Sequence, residues 1–381
     1  MRIVALKEAN PGENRVPVTP QTVEKLVRLG ASVALECGIG DRVMIDDGAY
    51  REAGAELGAD REALLAQADA LLTVGPPPLE VVAGLRPGAV TLGFLDPFFE
   101  PALVRALAER GVSAFAMELV PRTTYAQKMD ALSSQASLAG YAAVVVAAER
   151  SGKAFPMMST PAGTIPPARV FVVGAGVAGL QAIATARRLG ARVEAYDTRP
   201  VVKEQVRSLG ARFVEIDVGE TGQTAQGYAR ELTPEQLAEQ RRQMAKVVAG
   251  ADVVITTAQV FGRAAPKIVS ADMVAGMRAG SVIVDLAAST GGNVEGTVAG
   301  REVMTEGGVL IVGLTNMPGQ VARDASQVYA NNLYLLIEHA WDAEARRLDL
   351  EPTDEVVGAC LLTHEGAVRD ERVAALSERT R

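Results

Sequence analysis

Residues 169–199 read RVFVVGAGVAGLQAIATARRLGARVEAYDTR and predict a β-strand, a glycine turn, an α-helix and a second strand. The apolar run at 170–173 suits a strand that is buried on both faces. Gly174, Gly176 and Gly179 follow it with the G-x-G-x-x-G spacing, which places a dinucleotide pyrophosphate at a helix N-terminus. This βαβ unit therefore predicts a doubly wound α/β sheet with a nucleotide at its glycine turn.

An acid follows at the end of the second strand. Asp197 lies 23 residues after Gly174, where a carboxylate can accept hydrogen bonds from ribose hydroxyls and repel a 2′-phosphate. This position favours NAD(H) over NADP(H). Arg199 leaves an alternative open, because an arginine this close could hold a 2′-phosphate instead. Glycine turns also occur for packing alone, but the flanking strands and the spaced acid favour nucleotide binding.

The composition argues against several functional classes. The chain has 381 residues, of which 48% are hydrophobic, and a net charge of −8. It can form two well-packed domains, but it lacks the positive charge of a nucleic-acid or anionic-membrane binder. Its two cysteines, Cys37 and Cys360, and its two histidines lack metal-ligand spacing. We therefore expect no metal, no nucleic-acid partner and a reducing cytoplasmic environment.

The apolar segments are short. No segment is expected to approach the length of a membrane span, about 20 apolar residues, and the run at 141–148 is interrupted on both sides by charge or glycine. The stretch at 1–8 resembles a strand and lacks the features of a signal peptide. The chain itself is thus expected to be soluble.

Alternating strand-like and helix-like segments predict two Rossmann-like domains with open, mainly parallel, doubly wound sheets. Strands are predicted at 3–6, 32–36, 70–74, 89–94, 170–173, 192–196, 212–216, 252–256, 281–285 and 309–312. Two long helices, at about 131–151 and 323–347, are predicted to link the domains. The first domain would then be discontinuous, residues 1–130 plus 324–381, and the nucleotide-binding domain would be 131–323. A cleft between them is the expected ligand position.

Two segments interrupt this alternation. Residues 156–168 are predicted to form a loop immediately before the glycine motif. Residues 217–233 form a polar, glycine-rich insertion that has no obvious helical face. Because long loops of this second kind are often lids, we expect 217–233 to be a mobile loop.

Several segments together resemble domain I, the soluble NAD(H)-binding component of proton-translocating NAD(P) transhydrogenase. The resemblance runs essentially end to end. It rests on KE…ENRVPVTP at 7–20, RTTYAQKMDALSSQASLAGY at 122–141, PMMSTPAGTIPPARVF at 156–171, YDTRP at 196–200, GYARE at 227–231, DLAA…GGN at 285–293 and TNMP at 315–318. The segment at 122–141 is the most specific of these.

The resemblance implies polar residues near the nicotinamide at Arg122, Gln127, Asp130 and Ser133. Because hydride transfer leaves no proton for a base to remove, such a site mainly has to orient two rings. Arg122 would fix a phosphate or the carboxamide, and Gln127 would bridge the two nucleotides. Asp130 and Ser133 would hold the carboxamide. The alternative is that these residues cap the helix beginning near Ala131, for which Asp130 is well suited.

The resemblance also implies the residues that contact NAD(H). They are Gly174, Gly176, Val177, Gly179, Asp197, Thr198, Arg199, Gly227, Tyr228, Gln240 and Gln259. Tyr228 would belong to the mobile loop that closes over the nucleotide. Gln259 and Thr257 follow another strand, and here the family commonly has Leu-Ile-Pro where this chain has GlnValPhe at 259–261.

By the same resemblance, this chain would bind NAD(H) as a homodimer and exchange a hydride directly with NADP(H) on a partner subunit. A membrane proton-channel subunit would couple the transfer to proton translocation. The cytoplasmic chain would then associate peripherally with the inner membrane through its partners. The resemblance thus implies a Re/Si-specific NAD(P)+ transhydrogenase that is active only with its partner subunits.

Two other functions stay open. Alanine dehydrogenase shares the architecture and the KE…NRV pattern, but its chemistry needs a lysine, a histidine and an acid in the cleft. This chain has no lysine at 71–77, no histidine at 92–97, and Ser289 where the second acid is expected. Arg15 remains, although alone it can be a structural arginine in an amino-terminal turn. The third function is a catalytically silent NAD-sensing module, which hydride exchange with an NADP(H)-bearing partner would distinguish from an enzyme.

Overall fold

The computed structural model of this protein describes residues 1–216 and 233–379. The chain divides into two compact units, Met1–Gln135 with Gly319–Arg381 and Ala136–Pro318. The boundaries expected from the sequence, at 130/131 and 323/324, each lie five residues from these divisions.

The amino-terminal half of the first unit alternates strands with helices. Its elements are β1 (Arg2–Ala5), α1 (Pro20–Arg28), β2 (Ser32–Glu36), α2 (Asp47–Glu52), β3 (Ala55–Gly58), α3 (Arg61–Ala66), β4 (Ala70–Leu72), α4 (Leu79–Gly84), β5 (Val90–Gly93), α5 (Pro101–Glu109) and β6 (Ser113–Ala116). Successive side chains of a strand point to opposite faces, so Ile3 and Ala5 join one buried cluster while Val4 joins another. The first sheet is therefore covered on both faces.

Helix α6 (Ala131–Arg150) begins in the first unit and continues into the second. The second unit then contains β7 (Met158–Thr160), β8 (Gly163–Ile165), β9 (Arg169–Val173), α7 (Val177–Arg188), β10 (Arg192–Tyr196), α8 (Lys203–Ser208), β11 (Arg212–Phe213), α9 (Pro234–Ala249), β12 (Val253–Thr256), α10 (Ala271–Ala275), β13 (Val282–Asp285), β14 (Glu302–Met304) and β15 (Leu310–Val312). Among its described residues, seven strands form a sheet in the order β11-β10-β9-β12-β13-β15-β14. All neighbours in this sheet are parallel except β14 with β15. The strand order changes direction at β9, the strand that precedes the glycine turn.

The chain then returns to the first unit with α11 (Ala322–His339), β16 (Trp341–Asp342), β17 (Arg347–Leu348), α12 (Glu355–Cys360), β18 (Leu361–His364), β19 (Ala367–Val368) and α13 (Glu371–Arg379). The described residues of this unit form an eight-stranded sheet in the order β19-β18-β6-β5-β4-β1-β2-β3. Strands β18 and β19 are antiparallel additions at one edge. The mainly parallel, doubly wound architecture is confirmed in both units.

Two predicted segments differ from the structure. The long helix expected to reach residue 347 ends at His339, because β16 and β17 pair as a short antiparallel hairpin. The loop expected at 156–168 contains a second hairpin, in which Met158–Thr160 pairs with Gly163–Ile165. Every residue of that second hairpin is exposed.

Helix α6 also corrects the expectation about apolar segments. Among residues 1–216 and 233–379, it is the one helix whose length and composition would allow it to cross a membrane. A core helix passes the same test, and 44% of its most apolar window is buried within the protein. At Gly140, an added Cβ would lie 2.1 Å from the carbonyl oxygen of Ala178. The backbone of α6 therefore packs directly on the first turn of α7.

Candidate nucleotide-binding site

The glycine turn connects β9 to α7 in the second unit. Gly174 has a φ of +96°, in the left-handed region that favours glycine. A Cβ there would lie 2.5 Å from Oγ1 of Thr257, and this hydroxyl donates a hydrogen bond to the Gly174 carbonyl at 3.1 Å. Gly174 is therefore required by the conformation of the turn and by the close approach of the chain after β12.

The other two glycines of the motif differ in what surrounds them. A Cβ on Gly179 would lie 1.9 Å from the carbonyl oxygen of Gly174, so this glycine allows α7 to pack against the turn. Gly176 has a φ of −79° and a ψ of −166°, an extended conformation that any residue can adopt. No described atom lies within 4 Å of where its Cβ would be. Packing within the protein therefore explains Gly179 but leaves open space beside Gly176.

This open space lies at the N-terminus of α7. Gly176 is the N-cap residue of this 12-residue helix, and no side chain caps it. The first backbone N–H groups of a helix carry a partial positive charge and accept anions readily. The arrangement fits a pyrophosphate group, because a side chain at Gly176 would occupy the space that the anion needs.

Asp197 lies beside the turn, at the carboxyl end of β10, and is only 9% exposed. Its Oδ2 accepts a hydrogen bond from the Ala175 N–H at 2.8 Å. Arg199 donates to the same carboxylate from its backbone N–H, from Nε at 3.0 Å and from Nη2 at 2.8 Å. These four donors match the roughly four acceptor positions of a carboxylate. A ribose hydroxyl that bonds to Asp197 must therefore replace part of the pairing with Arg199.

The chain that follows β12 forms another side of the turn. Gln259 is exposed, and its Nε2 donates to the Leu286 carbonyl at 3.0 Å. The fully buried Asn293 holds the preceding residue, since its Oδ1 accepts from the Ala258 N–H at 3.0 Å and its Nδ2 donates to the Ala258 carbonyl at 2.8 Å. The same Nδ2 also donates to the carbonyl of Pro266 at 2.9 Å. Asn293 thus fixes the loop beside the glycine turn.

Asp285 is a second organising residue and is fully buried. Its Oδ1 accepts from Oγ1 of Thr256 and from the Ala287 N–H, each at 3.0 Å. Its Oδ2 accepts from the Val294 N–H at 3.1 Å and from Oγ1 of Thr297 at 2.8 Å. Asp285 and Asn293 both belong to one of the matching motifs, but the sequence alone indicated no role for either. Only the folded chain brings their partners together.

The other group of predicted residues lies in the first unit. Arg122 and Gln127 are exposed, whereas Asp130 is 7% exposed. Oδ1 of Asp130 accepts from the Ser133 N–H at 2.9 Å, and Oδ2 accepts from the Ser133 hydroxyl at 2.5 Å. Asp130 therefore caps α6, as the alternative interpretation of this segment expected. A role near a nicotinamide stays a prediction for all four residues.

Some predicted contacts lie outside the described residues. The mobile loop at 217–233 lies outside them except for its last residue, so Gly227 and Tyr228 cannot be placed. Gln240 belongs to α9, but its side chain is not described. Val177 is the exposed first residue of α7, and Thr198 is half-buried. Among the residues that are described, no group of three or more His, Cys, Asp or Glu side chains could hold a metal ion.

Comparison with known proteins identifies the family. The model of the N-terminal domain of alanine dehydrogenase/PNT matches residues 4–139, and that of the C-terminal domain matches residues 143–371. An NAD(P) transhydrogenase subunit alpha protein of Rhodospirillum rubrum is 44% identical over 97% of each chain. The chain belongs to the NAD(P) transhydrogenase alpha-subunit family. Its second unit is thus the NAD-binding, dehydrogenase-like domain of a transhydrogenase alpha subunit.

Two further relatives place this transhydrogenase-family chain. The crystal structure of transhydrogenase from Sinorhizobium meliloti superposes with a TM-score of 0.87 at 45% identity, covering 97% of this chain and 100% of the other. Alanine dehydrogenase of Mycobacterium tuberculosis is 30% identical, covering 98% of this chain and 96% of the relative. The predicted relation to alanine dehydrogenase is therefore confirmed, at a lower identity than that to transhydrogenase.

Arg15 bears on the difference between these two groups. Its Nε and Nη2 donate to the two carboxylate oxygens of Glu13 at 2.8 and 2.7 Å, and its Nη1 donates to Oε1 of Gln135 at 2.8 Å. Gln135 in turn donates to the Ala325 carbonyl on α11 at 3.1 Å. In this transhydrogenase-family chain, Arg15 therefore ties the amino-terminal turn to α6 and α11. This supports the structural interpretation of Arg15.

Two carboxyl groups in the first unit have raised pKa values. Glu8 follows β1 and accepts from the Val74 N–H at 2.6 Å, and burial raises its pKa to about 7. Glu118 follows β6 and accepts from the Asp96 N–H at 2.7 Å, and burial likewise raises its pKa to about 7. Oε2 of Glu118 is shielded from water and has no hydrogen-bond partner among the residues that the structure describes. Both groups therefore favour the protonated form.

The substitution Glu118→Gln is expected to flatten the pH dependence of stability. The folded pKa of about 7 lies above the ordinary value of 4.5, so between these pH values the unfolded state binds fewer protons. The free energy of unfolding of the wild-type protein should fall as pH rises through this window and level off above it. Glutamine cannot ionise, so the variant should gain about 2 kcal/mol relative to wild type between pH 5 and pH 8. Urea unfolding at both pH values measures this difference.

Glu109→Gln, at an exposed position on α5, is the matched control and should follow the wild type at both pH values. Equal pH dependence in the wild type and Glu118→Gln would show that Glu118 is ionised in the folded protein.

Proposed function

We propose that this chain is the NAD(H)-binding subunit of a proton-translocating transhydrogenase, and that it exchanges a hydride directly with NADP(H) on a partner subunit. The observation that carries the proposal is the uncapped N-terminus of α7 with open space at Gly176, beside the buried carboxylate of Asp197. The names of its relatives support the same assignment, since they are called transhydrogenase alpha subunits.

In this proposal the nucleotide domain comprises residues 131–323, with the mobile loop at 217–233. The pyrophosphate would contact the glycine turn and Val177, and the adenosine ribose would contact Asp197 and Thr198. Further contacts are proposed for Arg199, Gly227, Tyr228, Gln240 and Gln259. The side chain of Asp197 would select NAD(H), because the 2′-phosphate of NADP(H) would meet a carboxylate. Bound NADH supplies the hydride.

The chain's own contribution to transfer would be orientation. Arg122 and Gln127 are exposed and can reach a bound nucleotide or a partner. Asp130 holds the hydroxyl and the backbone N–H of Ser133, so these two residues would meet a carboxamide as one rigid pair. Alignment of two reacting rings accounts for much of the rate of such reactions, and none of the four residues needs to move a proton.

The partners belong to the proposal as well. An NADP(H)-binding subunit would accept the hydride, and a membrane proton-channel subunit would couple the transfer to proton translocation. The chain would then be cytoplasmic and peripherally associated with the inner membrane through these subunits. Relatives with the word subunit in their names support the existence of partners.

A homodimer is supported by the β7–β8 hairpin. An isolated two-stranded hairpin is marginally stable in water, and this one exposes Met158 and Ile165 with the neighbouring Met157. A second copy of the chain could cover these apolar side chains and the hairpin edges. Sedimentation velocity measures the mass in solution, and a monomer at micromolar concentration would contradict the homodimer.

The function is tested by hydride exchange between NADH and thio-NADP+. The purified chain is assayed alone and with membranes of the source organism from which the native chain has been removed. We expect exchange only when the membranes are present. NADH oxidation by pyruvate and ammonia without membranes would instead make the chain an alanine dehydrogenase, and exchange in neither assay would favour an NAD-sensing module.

Gln127→Asn is expected to slow exchange about tenfold while leaving the NADH dissociation constant unchanged, because shortening the side chain by one methylene breaks a bridge between two rings that must align. NADH fluorescence titration provides the binding measurement. Gln67→Asn, on the short connection after α3, controls for the substitution itself. An unchanged exchange rate in Gln127→Asn would remove the proposed role of Gln127.

A further inference from the structure

Tyr125 lies in the exposed first half of the 122–130 segment. It is 61% exposed, yet its hydroxyl lies 3.1 Å from Nδ1 of His339. The two rings meet edge to face with centroids 5.5 Å apart. In addition, Nζ of Lys128 lies 5.6 Å from the centroid of the tyrosine ring, within the range of a cation–π contact. This surface tyrosine is therefore held both by its hydroxyl and by its aromatic ring.

His339 is itself held from the other side. Its Nε2 lies 2.9 Å from Oδ1 of Asp354, and the same oxygen accepts from the N–H groups of Val356 and Val357 at the start of α12. An ionised carboxylate only accepts hydrogen bonds, so the partners assign the proton of neutral His339 to Nε2. Nδ1 is then the acceptor for the Tyr125 hydroxyl. Tyr125, His339 and Asp354 thus form a continuous hydrogen-bonded relay.

The same helix holds the segment at a second point. Asn332 lies seven residues before His339 on α11, which places the two side chains on one face. Its Nδ2 donates to the Lys128 carbonyl at 2.8 Å. The backbone is also anchored from within, because Ala126 and Met129 are fully buried. Gln127 therefore lies between two positions, 125 and 128, that α11 holds in place.

We propose that Tyr125 and His339 are positioning residues for hydride transfer, which with Asp354 fix the 122–130 segment so that Gln127 is aligned before a partner nucleotide arrives. This role rests on the proposed function. The physical reason is that reacting groups lose rate steeply when they are misplaced by about 1 Å, with costs on the order of 100-fold. A segment whose polar side chains are exposed needs such external support to stay in one conformation.

The test begins with Tyr125→Phe, which keeps the ring and removes the hydroxyl. Hydrogen–deuterium exchange, read by mass spectrometry, should become faster in residues 122–130. The kcat for exchange between NADH and thio-NADP+, measured with the depleted membranes, should fall about fivefold, which corresponds to one neutral hydrogen bond. The NADH dissociation constant and the KM for NADH should not change, since the proposed NADH contacts lie at the glycine turn.

His339 provides the conservative rescue. The amide of His339→Gln offers one donor and one acceptor, as neutral imidazole does, so this variant should keep most of the wild-type kcat. His339→Ala should match Tyr125→Phe, and the double variant should be no slower than either single variant because all three break the same relay. Tyr141→Phe, at another exposed tyrosine, is the matched control and should leave every readout unchanged.

Unchanged deuterium exchange in residues 122–130 of Tyr125→Phe would overturn the relay as a device that fixes the segment. Faster deuterium exchange with an unchanged kcat would overturn its role in transfer. The failure of the proposed function is distinguishable, because wild-type protein would then show no hydride exchange with the membranes while the deuterium-exchange comparison still reports on the segment.

Discussion

Replacing Gly176 with alanine is expected to weaken NADH binding on the order of 100-fold while leaving the unfolding temperature no lower. The conformation of Gly176 suits alanine, and no described atom lies within 4 Å of the new Cβ. The methyl group would instead occupy the space proposed for the pyrophosphate. Losing one or two charge-assisted hydrogen bonds, each worth about 1.5–3 kcal/mol, accounts for the expected loss of affinity. NADH fluorescence titration and a thermal melt measure the two quantities.

Two other glycines sharpen this experiment. Gly179→Ala should lower the unfolding temperature as well as NADH affinity, because its Cβ would collide with the Gly174 carbonyl. Gly276→Ala, where the nearest atom to the new Cβ is at an ordinary 3.4 Å, controls for the loss of a glycine and should change neither property. If Gly176→Ala binds NADH as tightly as wild type, the pyrophosphate does not lie at the N-terminus of α7.

The second large effect is expected for Asp197→Ala. Loss of two hydrogen bonds from ribose hydroxyls to a charged acceptor should weaken NADH binding by about 100-fold. Arg199, which now pairs with Asp197, would become available to a 2′-phosphate. NADPH affinity should therefore rise relative to NADH affinity. The measurement is the ratio of the two dissociation constants, obtained by fluorescence titration of the same preparation.

This variant should also be less stable, by about 1–3 kcal/mol, because the buried N–H of Ala175 loses its acceptor. Asp252→Ala separates this effect from binding. Asp252 likewise accepts from a backbone N–H, that of Arg169, and pairs with Arg278, but it lies at the amino end of β12. We expect that control to lose stability without changing the ratio. An equal ratio in wild type and Asp197→Ala would show that the acid does not select the nucleotide.

The fold was predictable where its signals are local. The strands at 32–36 and 192–196 were predicted with their observed bounds, because turns and helical patterns flank their apolar runs. Strand β18 was not predicted, since it pairs with the distant β6 and shifts register between Leu361 and Thr363. Strand β14 has only three residues and lies at a sheet edge. Pairing between distant segments, which no local pattern encodes, accounts for these omissions.

The candidate site shows the same division. The φ of Gly174 and the close packing at Gly179 follow from one contiguous motif, so the sequence alone could anticipate them. Whether Arg199 would meet a phosphate or Asp197 depended on the direction of a side chain, which spacing does not determine. The partners of Asn293 at 258 and 266 and the contact between Tyr125 and His339 become visible only in the folded chain.

Asp285 and Asn293 have a consequence for the thermodynamics of binding. Their buried polar atoms already hold the loops after β12 and β13 through hydrogen bonds within the protein. The conformational entropy of these loops is therefore lost when the chain folds, and a nucleotide that settles beside them does not have to order them again. Binding energy from the cofactor then remains available for the groups that must still move, such as the side chain of Arg199.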